Sequence, residues 1–80
     1  MSLAKAFGQV LKQKRETLQL TQEQFAFEVN LHRTYISLLE RGLKSPTLDV
    51  IFRISTALKI SPSELIREVE QLYRSQKLDQ

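Results

Sequence analysis

Arg33, Thr34, Ser37 and Arg41 follow one another at steps of one, three and four residues, spacing that gathers side chains on one side of a helix. At about 100° per residue the four fall within an arc of about 100°, with Leu38 on its border and Ile36 and Leu39 opposite. Their chemistry is donation and fixed charge. A guanidinium presents a planar fork of N–H groups, and a hydroxyl both donates and accepts. A fork of this kind matches O6 and N7 of a guanine, the hydroxyls fit any base edge, and Leu38 can touch a thymine methyl. Arg33, at the helix start, reaches furthest, so Arg33, Thr34, Ser37 and Leu38 are the candidate base contacts.

Catalysis lacks its parts. The chain has one histidine and no cysteine, and Glu68 and Glu70, two positions apart, diverge on a helix. No enzyme activity, cofactor or metal is expected, and nothing of this length is left over for a small-molecule ligand pocket. Net charge is +3, and all of the excess lies in residues 1–46, which hold seven Lys/Arg against four acids; residues 47–80 hold five of each. A basic half suits a polyanion.

The elements that position these residues read as helices throughout. The first runs from Ser2 or Leu3 to about Leu18, with Leu3, Phe7, Val10, Leu11 and Leu18 on its apolar side. Gly8 inside it predicts close packing, since glycine there costs about 1 kcal/mol against alanine. Thr21-Gln22-Glu23-Gln24 is a capping box that opens a second helix ending near Val29. Asn30 suits a left-handed turn residue. The third helix runs from about Arg33 to Arg41 and stops at Gly42. Ala26 is small where two helices cross, and Phe25, Val29, Leu31, Ile36 and Leu39 form the inner face. Thr47 caps a fourth helix, with Asp49 in its first turn and Leu48, Ile51, Phe52, Ile54 and Leu58 as its apolar side. Ser61-Pro62-Ser63-Glu64 opens a fifth, expected to end near Arg74. One domain over residues 1–74 and a flexible tail over 75–80 are expected.

Phosphate contacts should frame the third helix. Gln22 lies at a helix N-terminus, where free N–H groups favour an anion. Arg41, Lys44 and Ser45 follow the third helix. Tyr35 points toward the core edge, where its ring can pack while its hydroxyl reaches a phosphate.

The ordered set Thr21-Gln22, Phe25-Ala26, Val29, Leu31, Ile36-Ser37, Leu39-Glu40-Arg41-Gly42 and Pro46-Thr47-Leu48 resembles the XRE family, the helix-turn-helix regulators typified by the phage lambda and 434 repressors and Cro. The likeness covers about residues 6–68, with Ile60-Ser61-Pro62-Ser63-Glu64-Leu65 resembling the start of the family's fifth helix. It implies an all-α, compact five-helix lambda-repressor-like domain, a transcription regulator of double-stranded DNA, and the phosphate role for Gln22. It also implies an ion pair of Arg15 with Glu40. Two positions depart from the pattern: Asn30 stands where glycine is usual, and His32 where Ser, Asp or Thr caps the recognition helix. The His32 ring either faces DNA or stands in solvent without a role. Arg33-Thr34-Tyr35-Ile36-Ser37 with Glu40-Arg41-Gly42 looks most like the family's restriction–modification controllers.

On the fifth helix, Leu65, Val69, Leu72 and Tyr73, with Ile66 beside them, make an apolar stripe. Ile66, Val69, Leu72 and Tyr73 are expected to join a second copy, which would set two recognition helices about 34 Å apart on a palindromic operator. The alternatives are that the stripe folds back on the first helix, or that it binds a partner protein, as in an interaction module or an antitoxin. Contact with RNA polymerase is a further expectation for a regulator. No apolar run approaches the ~18 residues of a membrane span, and Met1-Ser2-Leu3-Ala4-Lys5 is not a signal peptide, so cytoplasmic residence, in a bacterium or phage host, is expected.

Overall fold

The computed structural model of the chain describes residues 1–78, with side chains to Gln76. Five helices follow in order: α1 Leu3–Thr17, α2 Gln22–Val29, α3 Arg33–Glu40, α4 Leu48–Leu58 and α5 Pro62–Leu78. The described residues contain no strand, and none of their helices is long and apolar enough to cross a membrane.

Four of the five starts carry a side-chain cap, because the first N–H groups of a helix have no partner within it. Ser2 Oγ accepts from the Lys5 amide, Thr47 Oγ1 from Val50 and Ser61 Oγ from Glu64. Thr21 forms the reciprocal box: its Oγ1 accepts from the Gln24 amide, and its own amide donates to Gln24 Oε1. Helix α3 is the exception, since His32 makes no side-chain cap bond.

Four helices end alike. Gln19, Asn30, Gly42 and Lys59 take positive φ, at 60°, 55°, 71° and 63°. Each is bracketed by two backbone bonds that return to the last turn, as in Leu31 N–H to Ala26 C=O at 2.9 Å with Asn30 N–H to Phe27 C=O at 3.2 Å. This Schellman pattern satisfies the terminal carbonyls and is usually built on glycine; here only Gly42 is one. An apolar residue follows each terminator: Leu20, Leu31, Leu43 and Ile60. Leu20, Leu31 and Ile60 pack against the core, and Leu43 stays exposed.

The core gathers Ala6, Phe7, Val10, Leu11, Phe25, Ala26, Val29, Ile36, Leu39, Val50, Ile54, Leu58, Leu65 and Val69. Gly8 lies directly against the end of α3, where an added Cβ would stand 2.4 Å from the Leu39 carbonyl oxygen and 2.6 Å from that of Glu40. Several expectations are corrected. Leu3, Leu18, Leu48 and Phe52 carry the right periodicity yet are exposed. Leu3 and Leu18 lie at the two ends of α1, and Leu48 and Phe52, four residues apart on α4, face away from the other helices. Helix α5 continues past Arg74 to Leu78, so Ser75 to Leu78 are helical, while Asp79 and Gln80 lie outside the described residues.

The apolar stripe of α5 is largely used within the monomer. Helix α5 packs on α1 and α4, and Lys14 Nζ on α1 lies 2.7 Å from Glu68 Oε2 on α5. Val69 is buried, so its expected place in a dimer interface is corrected: a side chain enclosed in the monomer core has no area left to give a partner. Leu72 and Tyr73 are half-buried against the same core. Ile66 alone of the four stays exposed, at 43%.

Candidate nucleic-acid interface

Helices α2 and α3 are joined by the three residues Asn30-Leu31-His32, with Asn30 as the left-handed terminator of α2 and His32 in the N-cap position of α3. A buried polar knot fixes their relation to α1. Arg15 donates from Nε to Glu40 Oε2 at 2.6 Å and from a second guanidinium nitrogen to Oε1 at 3.0 Å. Its remaining nitrogen donates to the Leu20 carbonyl at 2.6 Å. The Arg15 and Glu40 side chains are only 9% and 2% exposed. A bidentate fork with a bond from each of the three guanidinium nitrogens is the geometry in which a buried pair is tolerated. Hydrogen bonding to Glu40 raises the Arg15 pKa against the lowering effect of burial. The cation therefore persists at every working pH and brings no pH dependence of its own.

Gln22 completes the knot. Its Nε2 donates to Glu40 Oε1 at 3.0 Å, a contact that spacing alone did not reveal. The side chain is half-buried and its amide retains a second N–H. The start of α2 is thereby anchored to the end of α3.

On the outer side of α3, Arg33 and Thr34 are exposed, and Ser37 and Leu38 are half-exposed. The structure brings these four together on the side opposite the buried Ile36 and Leu39. Arg33 reaches back to α2, its guanidinium 3.6 Å from Glu23 Oε2. Both groups are well exposed, so this pair holds little energy. Glu23 is an acid beside the candidate base readers that sequence reasoning passed over; its place in the first turn of α2, one residue after Gln22, was the available signal. Tyr35 is half-buried with its ring against the core. Arg41, the residue after α3, is exposed and donates from Nε toward the Ser37 carbonyl at 3.4 Å, which lays it back along the outer side. Lys44 and Ser45 are exposed in the following loop, and no acid occurs from Arg41 to Leu48. Cations thus follow the hydroxyl-bearing face at the C-terminal end of α3, and the start of α2 is tied to that same end through Gln22 and Glu40.

A groove of about 520 Å³ lies between the start of α1, the Ser45-Pro46 loop, α4 and α5. Leu3, Phe7, Ile51, Ile66 and Tyr73 contribute to its wall. No group of three or more His, Cys, Asp or Glu that could hold a metal occurs among the described residues.

A family model described as Helix-turn-helix matches residues 11–65. The control protein C.BamHI of Bacillus amyloliquefaciens is 48% identical over 61 residues, 75% of either chain. The restriction-modification controller protein C.AhdI from Aeromonas hydrophila matches in structure with a TM-score of 0.75 at 40% identity, over 78% of this chain and 94% of its own. The controller protein C.Esp1396I, solved as a tetramer in complex with its natural 35 base-pair operator, matches with a TM-score of 0.80 at 29% identity, over 90% of this chain and 95% of its own. Capping box, left-handed turn, buried Arg15–Glu40 pair and the match over more than half its length together make this chain a member of the XRE-type helix-turn-helix family, with restriction–modification control proteins among its relatives.

Proposed function

We propose that the chain is a sequence-specific transcription regulator that binds a palindromic operator in double-stranded DNA as a homodimer, with α3 in the major groove. The observation that carries this reading is the outer face of α3, where Arg33, Thr34, Ser37 and Leu38 stand together above the buried Arg15–Glu40–Gln22 knot. Arg33, Thr34, Ser37 and Leu38 read base edges. Gln22, Tyr35, Arg41, Lys44 and Ser45 hold phosphates and set register. The role is non-catalytic and is exercised on cytoplasmic DNA. Likeness to C.BamHI and C.AhdI favours control of a restriction–modification operon, with the protein's own concentration as the signal.

The second copy is supported by unpartnered apolar surface: exposed Leu3 and Ile66, the groove they border, and Leu48 and Phe52 on α4, each one turn or less from the groove residue Ile51. An 80-residue domain gains most from such an addition of buried area.

A binding titration across salt concentrations tests the whole reading. Arg33→Ala should cost about 1–3 kcal/mol and relax preference at one base pair per half-site, whereas Lys44→Ala should weaken all duplexes alike. The same titration should saturate at two chains per operator. Equal affinity of wild type and both variants for every duplex would refute the assignment.

Contact with RNA polymerase is supported by Phe27, 88% exposed on α2. It is flanked by exposed Glu23 and Glu28 and lies outside the DNA-facing set. So large an apolar side chain held in water on a rigid helix suits a protein partner. Phe27→Ser should leave operator affinity unchanged and reduce transcription from a promoter that the protein activates; unchanged transcription would remove this surface from the account.

A further inference from the structure

We propose that Lys5, in the first turn of α1, is a DNA-phosphate ligand that carries the backbone grip of Arg41, Lys44 and Ser45 across to α1; the proposal rests on the DNA-binding reading above. Lys5 lies against the terminator of the recognition helix. A Cβ on Gly42 would stand 2.4 Å from Lys5 Cγ and 2.8 Å from its Cα. The lysine stem therefore covers Gly42, the residue between Arg41 and the exposed Leu43-Lys44-Ser45 segment.

Charge is the second observation. None of the ion pairs among the described residues includes it. The first turn of α1 holds no acid, and neither does the segment from Arg41 to Leu48. A cation in the first turn of a helix also opposes the positive end of the helix dipole, which favours acids there. Fold stability alone would thus select a different residue. The backbone N–H of Lys5 is already taken by Ser2 Oγ at 3.1 Å, so what the position offers outward is the side chain. Lys5 thus adds, from a second element packed on the terminator of α3, a third cation outside these ion pairs to Arg41 and Lys44. Each phosphate so neutralised releases condensed counterions from the duplex, which gives binding its salt dependence.

The test is operator and random-duplex affinity from about 50 to about 200 mM salt, for wild type, Lys5→Gln and Lys5→Arg. Lys5→Gln should make the slope of log affinity against log salt shallower by about 0.9 per bound subunit. It should weaken both duplexes by the same factor and leave the melting temperature equal or slightly higher. Lys5→Arg should keep the wild-type slope. An unchanged slope in Lys5→Gln overturns the proposal. Weakened binding that tracks a lowered melting temperature also overturns it, because Lys5 would then act only as a cover for Gly42. If Arg33→Ala leaves sequence preference intact while the Lys5 effect persists, the base-reading assignment falls and the phosphate contact stands; a wild type that binds no duplex ends both.

Discussion

Glu40→Ala is expected to lower the stability of the fold by about 3–5 kcal/mol, the cost of leaving a buried charge without its partner. The Arg15 and Glu40 side chains are almost fully enclosed, and the carboxylate accepts from two Arg15 nitrogens and from Gln22. Alanine leaves the guanidinium with the Leu20 carbonyl alone and sets the Gln22 amide free. In a domain of this size each kcal/mol moves the melting temperature by about 4–8 °C, so a fall of well over 10 °C should be seen by circular dichroism. The paired substitution Arg15→Met with Glu40→Leu should recover most of that loss, since apolar replacement of a whole buried pair is often neutral or better. A Glu40→Ala protein that melts within a few degrees of wild type would show that water reaches Arg15 and that the knot is weaker than its geometry.

Gly8→Ala separates local preference from packing by its sign. Helix propensity alone predicts a gain of about 1 kcal/mol, since alanine is the better helix residue. The packing predicts a loss. The new methyl would stand 2.4 Å from the Leu39 carbonyl oxygen and 2.6 Å from that of Glu40, and both are backbone atoms at the end of the recognition helix, unable to rotate away. Helix α1 must move from α3, which strains the Arg15–Glu40 bonds two turns further along. Overpacking of this kind costs about 1–3 kcal/mol; against immovable backbone the upper end applies, and less the propensity gain of about 1 kcal/mol a net loss of about 2 kcal/mol is expected, read by urea denaturation. A stabilised Gly8→Ala protein would mean that the α1–α3 contact is looser than these distances.

Much of the fold was legible because its punctuation is chemical. Thr21 with Gln24, Thr47, and Ser61 with Glu64 announce helix starts by side chains that can reach orphan amides, and the bonds are present. Asn30 was readable as a left-handed residue for the same kind of reason. Gln19 and Lys59 were not, since neither residue type favours positive φ and only the tertiary fold holds them there. Periodicity found the apolar sides of α1 and α4 but not their limits: Leu3 lies at the open end of α1, and Leu48 and Phe52 lie on the side of α4 that faces away from the other helices. For α5, sequence found the stripe but left Val69 between the monomer core and a dimer interface, because a stripe does not say how far α1 runs alongside it. In the candidate interface, helical phase sorted Arg33, Thr34 and Ser37 from Ile36 and Leu39, whereas the Gln22–Glu40 and Arg33–Glu23 contacts join different helices and have no signature in spacing.

The four left-handed terminators have a thermodynamic consequence. Each closes its helix with two backbone bonds, leaving α2 and α3 tied by a link with almost no slack. The surface offered to an operator is then already ordered before encounter, and little conformational entropy remains to be lost. Calorimetry of operator binding should find a heat-capacity change set by the area buried between protein and duplex alone, without the larger negative increment that accompanies folding on contact.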